Sequence, residues 1–138
     1  MRSAHAEMLF VYGTLRDPEV QTALFGRKIS GDVATLKGWS VYRSESDGFL
    51  FIKPDPRDCV VGLVLRLSPD ELRIADAWED VPHYRRERLT ARSDGVVMEA
   101  WTYTRREGEG VKHETSTTSG HKREQVIEWA QRMRAEMS

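Results

Sequence analysis

Two segments of this chain carry residues whose types and spacing could do chemistry. The first is Phe10-Val11-Tyr12-Gly13-Thr14-Leu15-Arg16, where an apolar strand from Met8 to Tyr12 runs into a glycine turn. Such a turn can aim consecutive backbone N–H groups at a small anion, and Gly13 permits a positive φ or the close approach of a ligand. The second is Ala77-Trp78-Glu79-Asp80-Val81-Pro82-His83-Tyr84-Arg85-Arg86. Leu72, Ala75 and Glu79 recur at i, i+3 and i+7, so Glu79 shares a helix face with apolar residues. Glu79 falls at the C-terminal end of that helix, where the dipole disfavours negative charge, and an apolar face disfavours it too, so its carboxyl is expected to titrate above its ordinary range. An anion-holding turn and one such carboxylate suffice for proton transfer on a small charged substrate. Each has an ordinary reading when alone: a strand-to-turn junction, and a solvated glutamate. Their occurrence in one chain points to a site.

The elements that must position these residues follow from local signals. Asp17-Pro18-Glu19 reads as an N-cap, a first helical position and a favourable acidic residue. The short helix it starts packs Val20, Ala23 and Leu24 and ends at Gly26. From Ile29 to Arg43 the pattern is β, with Val33 alternating with Thr35 and Lys37, then Trp39, Val41 and Arg43 after Gly38. Phe49 to Ile52 is expected to be a short strand closed by a turn at Pro54-Asp55-Pro56-Arg57. Val60 to Leu67 follows as a separate strand with Val61, Leu63, Leu65 and Leu67 on one apolar face, and Gly62 allowing a close approach or a bulge. Ser68-Pro69-Asp70-Glu71 is a capping box in sequence form, opening the helix that ends near Trp78. Tyr84 to Ala91 and Val96 to Tyr103 form a hairpin across Ser93-Asp94-Gly95. Arg105 to Ser119 is polar and glycine-containing and reads as a mobile loop. The last helix, from about Gly120 to Met137, buries Val126, Ala130, Met133 and Met137. Short strands with three inserted helices predict an α+β protein: a small closed or nearly closed β-barrel with helices packed outside it.

Composition bounds the function. At 138 residues the chain fits a single domain, with its core at 8–105, the polar loop at 105–119 and the C-terminal helix at 120–137. It can bury a core without disulfide or metal staples. A net charge of −1 argues against nucleic acid or an anionic membrane as partner. Arg85, Arg86 and Arg88, interrupted by Glu87, read as a solvated strand face. The one cysteine, Cys59, excludes an intramolecular disulfide and suits a reducing compartment. Its β-branched neighbours predict a small buried hydrophobe there. Met1 to Glu7 is too short and polar for a signal peptide, and no apolar run approaches the roughly 20 residues of a membrane span, so a cytoplasmic location is expected. His83 and His113 lack partners at metal-ligand spacing and read as surface residues, so no metal is expected. Trp39, Trp78, Trp101 and Trp129 read as core anchors.

The same segments resemble the γ-glutamylcyclotransferase-like family, of the γ-glutamylamine cyclotransferase type. The family motif at the first is an apolar strand followed by Tyr-Gly-Ser/Thr-Leu, here Tyr12-Gly13-Thr14-Leu15. Val61-Gly62-Leu63-Val64 resembles its Val-x-Gly-x-x-Tyr strand, with Leu65 where an aromatic is common. Trp78 to Arg86 resembles its Phe/Tyr-Glu-Gly-x-x-x-Tyr-x-Arg stretch, and Ala100-Trp101-Thr102-Tyr103 its Ala-x-x-Tyr strand. The resemblance runs from about Leu9 to Arg105. The chain departs from the pattern at Phe51-Ile52-Lys53-Pro54, where Phe-Pro is common, and at Asp80, where the family has glycine.

The resemblance implies the γ-glutamylcyclotransferase-like fold and a cyclotransferase that releases 5-oxoproline from a γ-glutamyl amine or γ-glutamyl amino acid. The substrate's own α-amine attacks its γ-carbonyl, so no cofactor or metal is implied. Glu79 is then the catalytic proton shuttle. Gly13, Thr14 and Leu15 hold the substrate α-carboxylate, and Tyr12 and Tyr103 line the pocket. Tyr84 either packs the core or touches substrate, and Arg16 is an ion-pair partner or a substrate ligand. The expected partner is a small γ-glutamyl compound, with no nucleic acid and no membrane, and the chain acting as a monomer or homodimer. The alternative is a non-catalytic module that binds a small carboxylate; a third reading makes the barrel a scaffold only.

Overall fold

The computed structural model describes residues 6–45, 47–79, 84–105, 110–113 as backbone, and 121–137. Strand β1 (Glu7–Val11) leads through a single 3-10 turn (Thr14–Arg16) into α1 (Pro18–Phe25). Two long strands follow, β2 (Gly31–Ser44) and β3 (Leu50–Leu67), then α2 (Pro69–Trp78). The hairpin β4 (Arg85–Ser93) and β5 (Val96–Thr104), the short β6 (Gly110–His113) and α3 (Arg123–Met137) complete the order. Neighbours run β3-β1-β5-β4-β2-β6, and β2 also pairs with β3, so five strands close into a barrel with β6 on the outside of β2. The β1–β5 pair is parallel, Leu9 opposite Trp101 and Phe10 opposite Thr102, which makes the barrel mixed. The fold is α+β, a small barrel flanked by three helices.

Alternation along the strands sends one set of side chains inward and the other under the helices. Phe10, Tyr12, Ala34, Leu36, Ile52, Val60, Val64, Ala91 and Ala100 share the interior cluster. Leu9, Val11, Leu65 and Leu67 lie on the outer face, covered by α1, α2 and α3 through Val20, Leu24, Leu72, Ala75, Val126 and Ala130. Each fully buried Leu, Val or Phe contributes roughly 1.5–3 kcal/mol from loss of apolar contact with water, so the strands are fastened from both sides. Gly62 lets β3 lie close against β1: a Cβ there would collide with the Val11 carbonyl and the Phe10 ring. Close approach, rather than a bulge, is its function.

The helix signals act as read. Asp17 caps α1 by accepting from the Glu19 N–H at 2.9 Å, and Gly26 ends it at φ 83°. Ser68 and Glu71 form the reciprocal capping box of α2. Asp94 and Gly95, at φ 50° and 81°, make the two-residue hairpin turn, with Ser93 still in the strand.

Five expectations are corrected. The segments 49–52 and 60–67 belong to one strand, β3, not two. The Pro54-to-Arg57 region is accommodated within it: pairing jumps from Lys37↔Cys59 to Trp39↔Pro54, so residues 55–58 swing out opposite Gly38. Gly38 lies at φ 88°, and Ser40 bonds both Asp55 and Asp58 across the excursion. Cys59, on the shoulder of that excursion, is exposed rather than buried. Val61 shares the face of Leu65 and Leu67 but is 59 % exposed, because that face is the barrel exterior and the helices stop short of it. Met137, at the far end of α3, is likewise 46 % exposed. Finally, the expected loop 105–119 contains β6, antiparallel to β2 from Val41↔His113 to Ser44↔Gly110. β4 meets β2 at Thr35↔Arg92, which leaves the backbone of 41–44 in need of a partner. Residues 106–109 and 114–120, Asp80 and His83 lie outside the described residues, as does the His113 side chain. Among the described residues, no helix is long and apolar enough to cross a membrane.

Candidate active site

Where β1 runs out, the chain is pinned from three directions. The Tyr12 hydroxyl donates to the Tyr103 carbonyl at 2.6 Å, tying β1 to the end of β5. Gln21, only 1 % exposed, donates from α1 to the Leu15 carbonyl at 2.8 Å and accepts from the Ile29 N–H at 2.8 Å. From α2, the Trp78 indole donates to the Thr14 hydroxyl at 3.2 Å. The turn's own bonds run from the Arg16 N–H to the Gly13 carbonyl and from the Asp17 N–H to the Thr14 carbonyl, both at 3.1 Å. Those two amides are consumed, whereas no bond among the described residues is donated by the N–H of Gly13, Thr14 or Leu15. The Arg16 side chain folds back onto the Gly13 carbonyl at 3.2 Å. Gly13 has φ −117°, so of the two uses that glycine permits here the backbone does not adopt a positive φ. A Cβ there would meet nothing nearer than Leu50 Cβ, at 4.0 Å. A side chain there would project into the cavity that Gly13 lines.

Glu79 is the C-cap of α2, its N–H bonded to the Ala75 carbonyl at 2.9 Å. The residue as a whole is half-buried, but burial of its carboxyl lifts the pKa to about 8. Tyr12, Gly13, Thr14, Leu15, Glu79, Tyr84 and Tyr103 all line one cavity of about 410 Å³. The three phenols stay protonated: burial raises each of them, and the negative charge of Glu79 adds to the rise. Tyr84 packs in the helix-side core, lines the cavity and donates to the Leu50 carbonyl at 2.8 Å. The Tyr103 hydroxyl donates to Asp76 at 2.7 Å, and Asp76 also holds Arg86 at 3.1 Å. Arg86 lies 4.6 Å over the Trp101 ring. Arg86 is thus a half-buried partner rather than part of a solvated strand face.

Sequence reasoning missed the rest of the wall. Asp47, Phe49, Trp129 and Met133 also line the cavity, and Trp78 and Trp129 do so in addition to packing. Arg105, expected in a loop, is a half-buried strut instead. It pairs with Asp47 at 3.1 Å and stacks 5.0 and 5.1 Å from the centres of the Phe51 and Tyr84 rings. No local signal marks these residues, which come from the β2–β3 connection, from the position just after β5 and from α3. Among the described residues, no group of three or more His, Cys, Asp or Glu could hold a metal ion.

The family model for gamma-glutamyl cyclotransferase, AIG2-like proteins matches residues 9–129, which include every lining residue of the cavity except Met133. The chain belongs to this family. AIG2-like protein C of Arabidopsis thaliana is 34 % identical over 99 residues, which are 69 % of this chain and 58 % of that protein. The match therefore spans a little over half the length of that relative. A solution structure from Arabidopsis thaliana aligns with 99 % of this chain and 90 % of its own at a TM-score of 0.68 and 24 % identity. A structure titled gamma-glutamyl cyclotransferase covers 95 % of this chain and 88 % of its own, with a TM-score of 0.68 and 15 % identity. These two likenesses show the fold.

Proposed function

We propose that this AIG2-like protein is a cofactor-independent cyclotransferase acting on a γ-glutamyl amine or γ-glutamyl amino acid. The observation that carries this reading is Glu79: a carboxyl whose pKa burial lifts to about 8, in one cavity with a turn whose amides can take an anion. A buried carboxylate costs stability unless it is paired, and among the described residues none is bonded to that of Glu79, which favours a use for it. In the reaction, the α-nitrogen forms a C–N bond to the γ-carbon, and the bond from that carbon to the leaving nitrogen breaks. Two protons leave the α-ammonium and two arrive at the departing amine, giving 5-oxoproline and an ammonium ion. A substrate ammonium beside Glu79 favours its anion, so it can accept the first proton. As the positive charge disappears on attack, burial again favours the acid form, which then donates to the leaving nitrogen. The turn holds the α-carboxylate and folds the flexible glutamyl chain towards the five-membered ring, a gain in orientation.

The test is 5-oxoproline release by wild type and Glu79→Gln, with ligand affinity measured by calorimetry. General acid–base catalysis is typically worth ~10²–10⁴-fold, and the variant is expected to lose turnover by that factor while still binding. Turnover undiminished in Glu79→Gln would exclude the role. A wild type that binds γ-glutamyl compounds without turnover would favour the binding module.

A further inference from the structure

Three side chains from three elements form a chain of bonds that the reaction above does not use. The Tyr103 hydroxyl, on β5, donates to Asp76 Oδ1 at 2.7 Å, and Arg86 Nη1, on β4, donates to Asp76 Oδ2 at 3.1 Å. Both oxygens of the α2 carboxylate are therefore engaged. Arg86 is fixed in turn: it lies over the Trp101 ring and stands opposite Tyr103 in the β4–β5 ladder. Asp76 comes three residues before Glu79, so the two carboxyls occupy neighbouring positions on one helix face. They are treated differently. Asp76 has a cation, whereas no ion pair reaches Glu79 among the described residues.

A carboxylate held by a guanidinium is ionised and can only accept, so the proton of the Tyr103–Asp76 bond belongs to the phenol. Burial, the Asp76 bond and the Glu79 charge all raise the phenol, which keeps that proton in place. Tyr12 and Tyr84 likewise spend their protons on backbone carbonyls, those of Tyr103 and Leu50. A phenol has one proton to give, so what the Tyr103 oxygen has left for the cavity it lines is lone pairs. Beside the Glu79 carboxyl, such an oxygen suits a ligand group rich in N–H.

We infer that Asp76 is a positioning residue: by taking the Tyr103 proton it makes the phenol oxygen an acceptor for the α-nitrogen of the substrate. This role rests on the cyclotransferase reading, which supplies that nitrogen. Glu79 removes one proton from the α-ammonium, and the phenol oxygen still holds another N–H, so the amine keeps its orientation for attack on the γ-carbonyl. Asp76→Asn disturbs this without removing bulk. Arg86, the charged donor, claims the amide oxygen, which leaves Nδ2 facing the phenol and reverses the bond. The phenol proton then points elsewhere, and the acceptor is lost.

A double-mutant cycle and a pair of ligands decide the matter. With γ-glutamylmethylamide as substrate, Asp76→Asn and Tyr103→Phe should each lower kcat/KM for 5-oxoproline release by about 10-fold, the scale of one hydrogen bond to a charged group. The double variant should be no worse than Tyr103→Phe alone, because Asp76 acts through the phenol. Losses that multiply in the double variant would overturn the role while leaving the cyclotransferase reading intact. Calorimetry in a Glu79→Gln background, where turnover does not intervene, compares γ-glutamylmethylamide with glutaric acid monomethylamide, the same compound without the α-amine. Adding Asp76→Asn should weaken the first by about 10-fold and leave the second unchanged, whereas a merely structural role would weaken both alike. Asp76→Ala, which removes both oxygens and adds no donor, serves if the asparagine variant does not fold. If wild type releases no 5-oxoproline, the cyclotransferase reading fails, and the calorimetry judges Asp76 by itself. Selective weakening of the aminated ligand then upholds the role, and equal weakening, none, or no binding overturns it.

Discussion

The two sides of the cavity are held by different kinds of interaction. The side made by the β1 turn and the end of α2 hangs on hydrogen bonds to fixed backbone and side-chain atoms: Tyr12 to Tyr103, Gln21 to Leu15, Trp78 to Thr14. These bonds are directional and two of them are buried, so they fix atoms to within tenths of an ångström. The side made by the β2–β3 connection and α3 hangs on ring contacts among Phe49, His121 and Trp129 and on the Arg105–Asp47 pair. Ring packing fixes shape but tolerates exchange of one apolar group for another. The difference teaches where reactivity and selectivity can be separated: a proton shuttle needs fixed geometry, whereas a surface for a variable amine needs only shape and polarity.

The largest expected effect tests that division. Glu79→Gln should depress turnover of every γ-glutamyl substrate alike, by ~10²–10⁴-fold, whereas Trp129→Ala should change mainly the ratio between substrates. Parallel kcat/KM measurements on both variants check this. A Trp129→Ala loss that is equally large and equal for all substrates would break the comparison.

The next effect is on stability. The Glu79 pKa of about 8 stands above the ordinary 4.5, so the folded protein binds more protons than the unfolded chain between those values. Stability must therefore fall as pH rises from about 4.5 to about 8, and the loss is complete above that range. Glu79→Gln carries no such penalty. Denaturant titrations at pH 5 and pH 9 should show the variant gaining on wild type by on the order of 2–4 kcal/mol at the higher pH. An unchanged difference between the two pH values would mean that the carboxyl is not desolvated.

The smallest effect concerns the strut on the other side. Arg105→Met removes an ion pair and two ring contacts from a half-buried position, and should cost about 1–2 kcal/mol. Because Arg105 touches Asp47 and Tyr84 together, the loss should be smaller in an Asp47→Asn background than in wild type. Additive losses in the double variant would show that the pair is not coupled.

The sequence alone determined the parts whose causes are local. Asp17, Pro18, Gly26, Ser68 and Glu71 set helix ends through bonds within a few residues, and Asp94-Gly95 made a hairpin turn from its own φ preferences. The turn Tyr12 to Leu15 and the carboxylate of Glu79 were legible for the same reason: their residue types and spacing carry the signal. Tertiary structure decided what depends on partners distant in the chain. The excursion at 55–58 exists because Gly38 on the opposite strand yields to it, and β6 forms because the 41–44 edge of β2 offers unpaired backbone. Cys59 and Val61 have apolar character yet face outward, since burial depends on which helix arrives to cover a strand. The aromatic wall is the clearest case: Phe49, His121 and Trp129 are unremarkable where they stand in sequence and meet only when α3 packs back against the barrel. Sequence spacing encodes direction along a helix or strand, whereas the closing of a cavity is a property of surfaces that the chain brings together only on folding.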